Sequence, residues 1–157
     1  MPIQVAVCGP RHCTDQDADN AREIGRLLAD AGAVVLNGGG IGVMAAVSAG
    51  ARSAGGIVVG VRPGATREDA NPDLDIVLAT NMGEARNAIL VWSADAVIVV
   101  GGSWGTLSEL ALARRRGVPA ISIGGWQIVD ADGEPVPDAP PVAATPLEAV
   151  NFAIGRG

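Results

Sequence analysis

Short runs of apolar residues alternate along the chain with longer segments in which apolar residues recur at helical spacing. The short runs are typical of strands buried on both faces of a sheet, and the longer segments are typical of amphipathic helices. Thr14, with Asp17 three residues later, marks a helix start, and Gly32 marks a helix end. Strands are predicted over residues 3–7, 33–36, 57–61, 74–78, 96–100, 119–123 and 142–144, and helices between Thr14 and Gly32 and over residues 43–54, 82–92, 107–116 and 146–153.

The alternation of strands with helices predicts an α/β fold. We expect a single Rossmann-like domain over residues 1–157, with a doubly wound, mainly parallel sheet and helices on both faces. Residues 130–140 are rich in proline and acidic residues and are predicted to form an exposed hairpin or loop. Ligands of such sheets bind outside the carboxyl ends of the strands. The loops at those ends cover residues 8–14, 37–42, 79–87 and 101–106.

Composition fits this fold and narrows the range of partners. Aromatic residues are only 3% of the chain, so Val, Ile, Leu and Ala must form the core. The net charge is −6, and the basic run Arg114–Arg116 complements the dipole at the end of a predicted helix, so nucleic acid is not an expected partner. The chain shows neither a signal-peptide pattern nor an apolar run long enough for a membrane span, so we expect a cytoplasmic location.

Cys8, Cys13 and His12 lie near the end of the first predicted strand. Two thiols and one imidazole do not complete a structural zinc site, and a disulfide across so short a loop is disfavoured in the cytoplasm. We therefore expect free thiols, a solvated His12 and no bound metal.

Two glycine-rich turns give the strongest signal for a binding site. Gly38–Gly42 and Gly101–Gly105 each follow an apolar run, share the same order of small and large residues, and lead into a predicted helix. Backbone amides at such a turn, together with the helix dipole, favour a bound anion. The alternative is that the glycines only make tight turns, but two matched turns favour a phosphorylated ligand. The predicted binding residues are Gly9, Arg11, Gly38, Gly39, Gly40, Gly42, Gly101, Gly102, Ser103, Gly105 and Thr106.

Other nucleotide and enzyme motifs are weak or missing. Gly40–Ala45 fits the G-x-G-x-x-A pattern of dinucleotide-binding proteins, but no acidic residue near the end of the third predicted strand could hold a ribose. Arg62 could meet a 2′-phosphate, yet we do not expect NAD(P). The sequence does not have the Ser–His–Asp order of such enzymes, so acyl-transfer hydrolysis is not supported.

Arg86 and Glu109 are the candidate catalytic residues. Arg86 stands at the start of a predicted helix, where a cation opposes the dipole, so we interpret it as a ligand of a phosphate or an acidic group. The alternative is an exposed arginine beside Glu84. Glu109 follows Thr106 at the spacing of a capping box, in which it would bond the amide of the cap residue. Alternatively, Glu109 points into the cleft toward a sugar or a water, and spacing alone leaves both readings open.

Gly101–Glu109 resembles the P-G-G-x-G-T-x-x-E motif of the LOG-type proteins. Gly38–Ala46 and Glu84–Asn87 are similar to further motifs of the same superfamily, and the order of the motifs matches. LOG enzymes have a Rossmann-like fold and are phosphoribohydrolases, which cleave the N-glycosidic bond of a cytokinin riboside monophosphate or of AMP. The resemblance implies that Arg86 orients the substrate and that Glu109 stabilises the ribosyl cation or activates water.

The chain departs from the LOG motifs at Gly101, Ser103 and Asn87, where proline, glycine and lysine are usual. In these departures the chain resembles a branch of small bacterial proteins that are similar to the molybdenum cofactor carrier protein and, distantly, to DprA. The carrier binds a phosphorylated pterin without turnover.

We therefore expect a binding protein for a nucleoside monophosphate or a molybdopterin-type cofactor, with no other cofactor required. A LOG-type phosphoribohydrolase is the alternative. Relatives of this type are dimers or larger, so we also expect a homodimer or higher oligomer that packs through the helix faces at 43–54 and 82–92.

Overall fold

The computed structural model describes residues 1–155, so residues 156–157 of the predicted domain lie outside the described residues. Within this range the apolar runs form one sheet of six parallel strands, flanked by five α-helices. The elements are β1 Gln4–Cys8, α1 Asp15–Asp30, β2 Val34–Asn37, α2 Val43–Ser53, β3 Val58–Arg62, β4 Ile76–Ala79, α3 Arg86–Trp92, β5 Ala96–Val100, α4 Trp104–Arg116, β6 Ala120–Ile123 and α5 Pro146–Ile154.

The strand order is β4-β3-β2-β1-β5-β6. The chain adds strands outward from β1 to β4 and then crosses back to place β5 on the other side of β1. Helices α1, α2 and α5 bury one face of the sheet, with Val5 and Ile24 in that core. Helices α3 and α4 bury the other face, with Val97 and Leu90 in its core. The predicted Rossmann-like α/β fold, with a parallel sheet and helices on both faces, is confirmed.

Helix α1 has the ends that its sequence predicts. The side chain of Thr14 accepts a hydrogen bond from the Asp17 amide at 3.1 Å, and Asp17 Oδ2 accepts one from the Thr14 amide at 3.3 Å. This reciprocal pair is a capping box, which satisfies amides that the helix itself leaves unpaired. Gly32 follows the helix with a φ of 76°, the left-handed conformation that glycine adopts without strain.

Helices α1 and α2 cross with their backbones in contact. A Cβ atom at Gly25 would collide with the carbonyl oxygen of Val47, and one at Gly50 would collide with that of Arg22. The small residues of α2 are therefore mostly buried under α1 in the same chain. The helix face at 43–54 was predicted to pack across a symmetric interface, but little of it is exposed for contact with a second copy of this chain.

Helix α3 begins at Arg86, so the predicted start at residue 82 is wrong. Asn81 and Gly83 both have left-handed backbone, with φ values of 51° and 57°, which cannot continue an α-helix backward. A short 3-10 turn over Gly83–Ala85 connects them to α3. Arg86 therefore belongs to the first turn of a seven-residue helix that starts beside the strand ends.

Strand β4 begins at Ile76, two residues later than predicted, because the residues before it have other contacts. Leu74 packs over Gly60, where a Cβ atom would lie 2.6 Å from the leucine Cδ1. Asp75 Oδ2 accepts a hydrogen bond from the Val58 amide at 2.8 Å, and Asp75 pairs with Arg52. The side chain of Asp75 thus accepts the hydrogen bond of the amide at the start of β3, and the edge strand β4 begins only after this residue.

The segment between β6 and α5 is mostly exposed, as predicted for residues 130–140. Val129 and Pro135 form a single antiparallel bridge, so this segment contains a short hairpin. The strand predicted over 142–144 is reduced to one parallel bridge between Ser122 and Val142. No helix within residues 1–155 is both long enough and apolar enough to cross a membrane.

Candidate functional site

The centre of the sheet opens into a cleft at the carboxyl ends of β1 and β5. Helix α1 follows β1 onto one face and α4 follows β5 onto the other, so the two exit loops diverge and leave a crevice. The crevice holds a cavity of about 770 Å³, within the usual range of small-molecule sites. The predicted site residues that line it are Gly9, Arg11, Gly38, Arg86, Ser103, Gly105, Thr106 and Glu109.

The remaining five predicted site residues, Gly39, Gly40, Gly42, Gly101 and Gly102, do not line the cavity. Several lining residues were not selected from the sequence, although most lie in the strand-exit loops that were predicted to matter. They are Val7, Cys8, Pro10, His12, Met44, Pro63, Gly83, Glu84, Asn87, Trp104 and Ser108.

The turn between β5 and α4 has the geometry of an anion site. Ser103 is the N-cap of α4, and its Oγ accepts a hydrogen bond from the Thr106 amide at 3.1 Å and lies 2.8 Å from Thr106 Oγ1. The amides of Trp104 and Gly105 have no acceptor within residues 1–155. They are first-turn amides, which a helix cannot satisfy itself and which favour a negative group.

Of the two interpretations left open for Glu109, the capping box with Thr106 is wrong. Ser103 is the cap, so α4 starts at Trp104 rather than at residue 107, and Thr106 is already inside the helix. Glu109 therefore lies well within the second turn, too far along to reach the cap amide. Its side chain faces the cavity instead.

Glycines at 101 and 102 make room for neighbouring side chains. A Cβ atom at Gly102 would lie 2.6 Å from Cδ1 of Trp126, and one at Gly101, which has a φ of 71°, would lie 2.8 Å from Oδ2 of Asp17. Gly105 differs, because the nearest atom to a Cβ there would be Ser103 Oγ at 3.9 Å. Of these three glycines, only Gly105 leaves open space at the cavity.

The turn after β2 uses its amides within the protein. The Gly39 amide donates to Asn37 Oδ1 at 2.7 Å, and the Gly40 amide contacts Met44 Sδ at 3.4 Å. Gly42 packs against the backbone of the loop after β1. The two glycine turns therefore share a sequence layout but not a geometry. A direct contact between these glycines and a ligand stays a prediction.

Arg86 crosses Gly38 and ties the ends of two strands together. Its Nη1 donates to the carbonyl oxygens of Gly38 at 2.9 Å and of Val61 at 2.6 Å, and its Nε donates to Asn87 Oδ1 at 2.9 Å. Nη2 has no acceptor within residues 1–155. Burial lowers the pKa of Arg86, and the nearby carboxylate of Glu109 opposes that effect. The guanidinium is thus fixed on one edge and free to bind an anion on the other.

Glu109 and Cys8 lie side by side at the floor of the cavity. Burial raises the pKa of Glu109, while the Cys8 thiol and the charge of Arg86 lower it in part. Burial also raises the pKa of Cys8 well above its ordinary value, and the neighbouring Glu109 adds to this, so the thiol is protonated. Cys8, expected only to be a free thiol, is a wall of the cavity.

Arg11 and Arg62 lie near Arg86 at the cleft, and none of these three arginines forms an ion pair within residues 1–155. Arg62 lies against Gly39, and its buried Nε has no hydrogen-bond partner within residues 1–155. Arg11 and Arg62 are close enough to Arg86 to lower its pKa further. The ion pairs found within the described range engage Arg26 and Arg52, not these three. Their charges are therefore concentrated at one site of a chain whose net charge is −6.

Comparison with known proteins identifies the superfamily. The model of the SLOG cluster4 family matches residues 2–139. An uncharacterized protein of Archaeoglobus fulgidus is 40% identical over 158 residues, which cover 97% of this chain and 95% of that protein. The solved structure of the molybdenum cofactor binding protein from the phototrophic bacterium Rippkaea orientalis is 31% identical with a TM-score of 0.87, and the match covers 99% of this chain and 97% of that one.

A LOG enzyme matches a smaller part of the chain. The cytokinin riboside 5′-monophosphate phosphoribohydrolase of Mycobacterium tuberculosis is 40% identical over 93 residues, which cover 57% of this chain and 50% of the enzyme. The predicted resemblance to LOG-type proteins and to carriers of the molybdenum cofactor is thus confirmed.

Proposed function

Because the chain belongs to the SLOG cluster4 family, we propose that its cleft binds a phosphorylated, nucleotide-like small molecule, either a nucleoside monophosphate or a molybdopterin-type cofactor. Similarity to the cofactor-binding protein of Rippkaea orientalis over nearly the full length of both chains supports the second ligand, and similarity to a LOG enzyme supports the first.

The charge of the cleft is the observation that carries this proposal. Arg11 and Arg62 each repel Arg86, the charge of Glu109 opposes this only in part, and no carboxylate within residues 1–155 forms an ion pair with any of the three. A phosphate group would neutralise this cluster, and arginine binds phosphate through paired hydrogen bonds. The unpaired amides of Trp104 and Gly105, beside the hydroxyls at the start of α4, offer further donors to the same group.

Binding of phosphate by these arginines can be tested by calorimetric titration with ribose 5-phosphate and with AMP. Arg11→Ala should weaken both ligands by about 10- to 100-fold, the usual effect of losing a charge-assisted hydrogen bond. Arg22→Ala, on the exposed side of α1, makes the same charge change and should leave both affinities unaltered. Failure of the unmodified protein to bind any phosphorylated compound would refute the proposal.

A phosphoribohydrolase activity is the second candidate, and the position of Glu109 favours it. The carboxylate does not cap α4 but faces the cavity close to Arg86. In such a reaction the bond between ribose C1′ and the base nitrogen breaks, water adds to C1′, and the base leaves with a proton. A carboxylate whose pKa is raised by burial is suited to accept the proton of that water.

Incubation with nucleoside monophosphates, followed by an assay for free base, separates the two candidates. Base release that is lost in Glu109→Gln would support the hydrolase. Release that persists in Glu109→Gln would exclude the proposed role of this residue. A protein that binds the nucleotide but releases no base is a binding protein only.

We also propose a homo-oligomer, held through the face of the sheet that α3 leaves uncovered. Ile76 and Leu78 are about half exposed on β4, and they pair with Val59 and Val61 on the α3 side. Leu78→Glu should convert the protein to monomers in sedimentation experiments, whereas Leu147→Glu, a similarly exposed leucine on α5, should not. A monomeric unmodified protein would refute this proposal. The cytoplasmic location and the absence of nucleic-acid binding stay predictions.

A further inference from the structure

Aromatic side chains are rare in this chain, and two of them meet at the rim of the cleft. The sequence has three tryptophans, one phenylalanine and no tyrosine. Trp104 lines the cavity as the first residue of α4, and Trp126 lies in the loop after β6. Their ring centroids are 4.9 Å apart with the planes at 75°, an edge-to-face arrangement that aromatic pairs favour.

Trp104 is unusually exposed for its size. Its side chain is 79% exposed, although tryptophan gains more than most residues from burial. An exposed indole beside the cavity presents a flat apolar surface to a molecule that enters. Because the sheet core is built almost entirely from aliphatic residues, the position of this ring is not explained by packing of the fold.

The loop after β6 is shaped to hold Trp126 against the β5–α4 turn. A Cβ atom at Gly102 would lie 2.6 to 2.9 Å from three atoms of the Trp126 indole, so only glycine lets the ring lie on the turn. Gly125, with a φ of 77°, passes directly over the carbonyl of Gly101. Two glycines thus fix Trp126 in the place from which its ring contacts that of Trp104.

We propose that Trp104 is the stacking surface for the planar heterocycle of the ligand, a fused bicyclic ring such as a purine or a pterin, and that Trp126 holds the Trp104 ring in position. This inference rests on the proposed function, which supplies the phosphate end of the ligand at the arginines. The open space at Gly105, next to Trp104, lets a flat group approach along the start of α4. Purines and pterins share the π-face that an indole binds, so the stacking surface alone accepts both.

The test compares ligands with and without a heterocycle. AMP, neopterin monophosphate and ribose 5-phosphate are titrated into Trp104→Ala, and sedimentation confirms that the variant keeps the oligomeric state of the unmodified protein. We expect a loss of roughly 5- to 100-fold for the heterocyclic ligands, as found when one base loses its aromatic platform, and no change for ribose 5-phosphate. Trp104→Phe should retain most of the affinity, and Trp126→Ala should show a smaller loss in the same two ligands.

Trp92 provides the matched control. It is also exposed, at 58%, but lies at the end of α3 under the guanidinium of Arg116 and does not line the cavity. Trp92→Ala should leave all three affinities unchanged. In the Trp92→Phe background the two remaining tryptophans are those at the cleft, so AMP or neopterin monophosphate should quench the indole fluorescence and ribose 5-phosphate should not.

Each result decides a separate point. Binding of AMP and neopterin monophosphate by Trp104→Ala with unaltered affinity would overturn the inference and leave the phosphate site intact. An equal loss for ribose 5-phosphate, or an altered oligomeric state, would mean that Trp104 acts on structure and would overturn it as well. Failure of all three compounds to bind the unmodified protein would refute the proposed function itself, and this inference with it.

Discussion

Arg86 joins the ends of two strands, so Arg86→Ala should destabilise the fold even when no ligand is present. Its Nη1 donates to the carbonyl oxygens of Gly38 and Val61, and both of those residues are buried. Alanine would leave two buried acceptors without a donor. Hydrogen bonds to charged groups contribute about 1.5–3 kcal/mol each, so the gross loss is about 3–6 kcal/mol.

The burial of the guanidinium offsets part of this loss. Burial lowers the pKa of Arg86, which means that the folded state holds the charge less favourably than water does. Removing the side chain removes that cost, so we expect the lower end of the range, about 3 kcal/mol. In a chain of this length such a change lowers the midpoint of thermal unfolding by roughly 6–12 °C.

Urea unfolding of the ligand-free protein measures this change directly, provided that the slope of the transition is the same for both proteins. Arg11→Ala is the control, because it removes the same charge from an exposed side chain that makes no hydrogen bond within residues 1–155. It should change stability by less than about 0.5 kcal/mol. If Arg86→Ala were as stable as Arg11→Ala, the carbonyls of Gly38 and Val61 would not need this donor, and the structural role would be refuted.

Three further variants test the surroundings of the cleft. Burial raises the pKa of Glu109 above its ordinary 4.5, so the unfolded state holds the ionised carboxylate more favourably, and the unmodified protein should lose stability relative to Glu109→Gln as the pH rises from about 4 to 7. Midpoints of thermal unfolding that change in parallel, or that fall less in the unmodified protein than in Glu109→Gln, would contradict this. Gly102→Ala should lower the free energy of unfolding by about 1–3 kcal/mol, because the new methyl group displaces the Trp126 indole, whereas Gly105→Ala should leave it unchanged or raise it. Equal effects of the two variants in denaturant unfolding would contradict the packing argument. Cys8 is 1% exposed and Cys13 is partly exposed. The folded Cys13→Ser variant should therefore have no thiol that reacts quickly with Ellman's reagent, and a fast reaction would contradict the burial of Cys8.

Local signals in the sequence are sufficient to predict some elements. Strand β5 occupies Ala96–Val100, as its apolar run predicts, because all five residues are buried between the two helix layers. Helix α1 is equally well predicted, since the Thr14 capping box and Gly32 act on their own neighbours. These features depend on contacts within a few residues, so the sequence alone contains their cause.

The start of α4 shows where local reasoning fails. Ser103 and Thr106 are both good cap residues, and each has a partner at the right spacing. The N-cap of α4 is Ser103, which has an extended backbone with a φ of −162° after the turn at Gly101. Asp17, a residue far away in the sequence, packs against that turn and leaves no room for a side chain at Gly101. Of the two interpretations left open for Glu109, the structure then favours the side chain that lines the cavity over the cap residue, a choice that no spacing rule could make.

The different surroundings of the two glycine turns could not be predicted from the sequence for a similar reason. Their sequences match, but Gly38 is crossed by Arg86 from α3, and Gly102 is covered by Trp126 from the loop after β6. Neither partner is near its glycine in the chain. Composition identifies positions where a side chain does not fit, but it does not say whether a ligand or the protein itself fills the space.

Three features that are unfavourable for folding converge on one cavity. Burial lowers the pKa of Arg86 and raises that of Glu109, so both charged groups are held at a cost, and Trp104 leaves most of a large apolar side chain in water. Structural roles do not account for this combination, because Glu109 does not cap its helix and Trp104 does not join the core. Local rules of stability are usually broken where a site serves a ligand. A ligand that offers an anion to Arg86 and a flat ring to Trp104 would relieve two of these costs at once, so it should raise the stability of the protein more than either half of the ligand does alone.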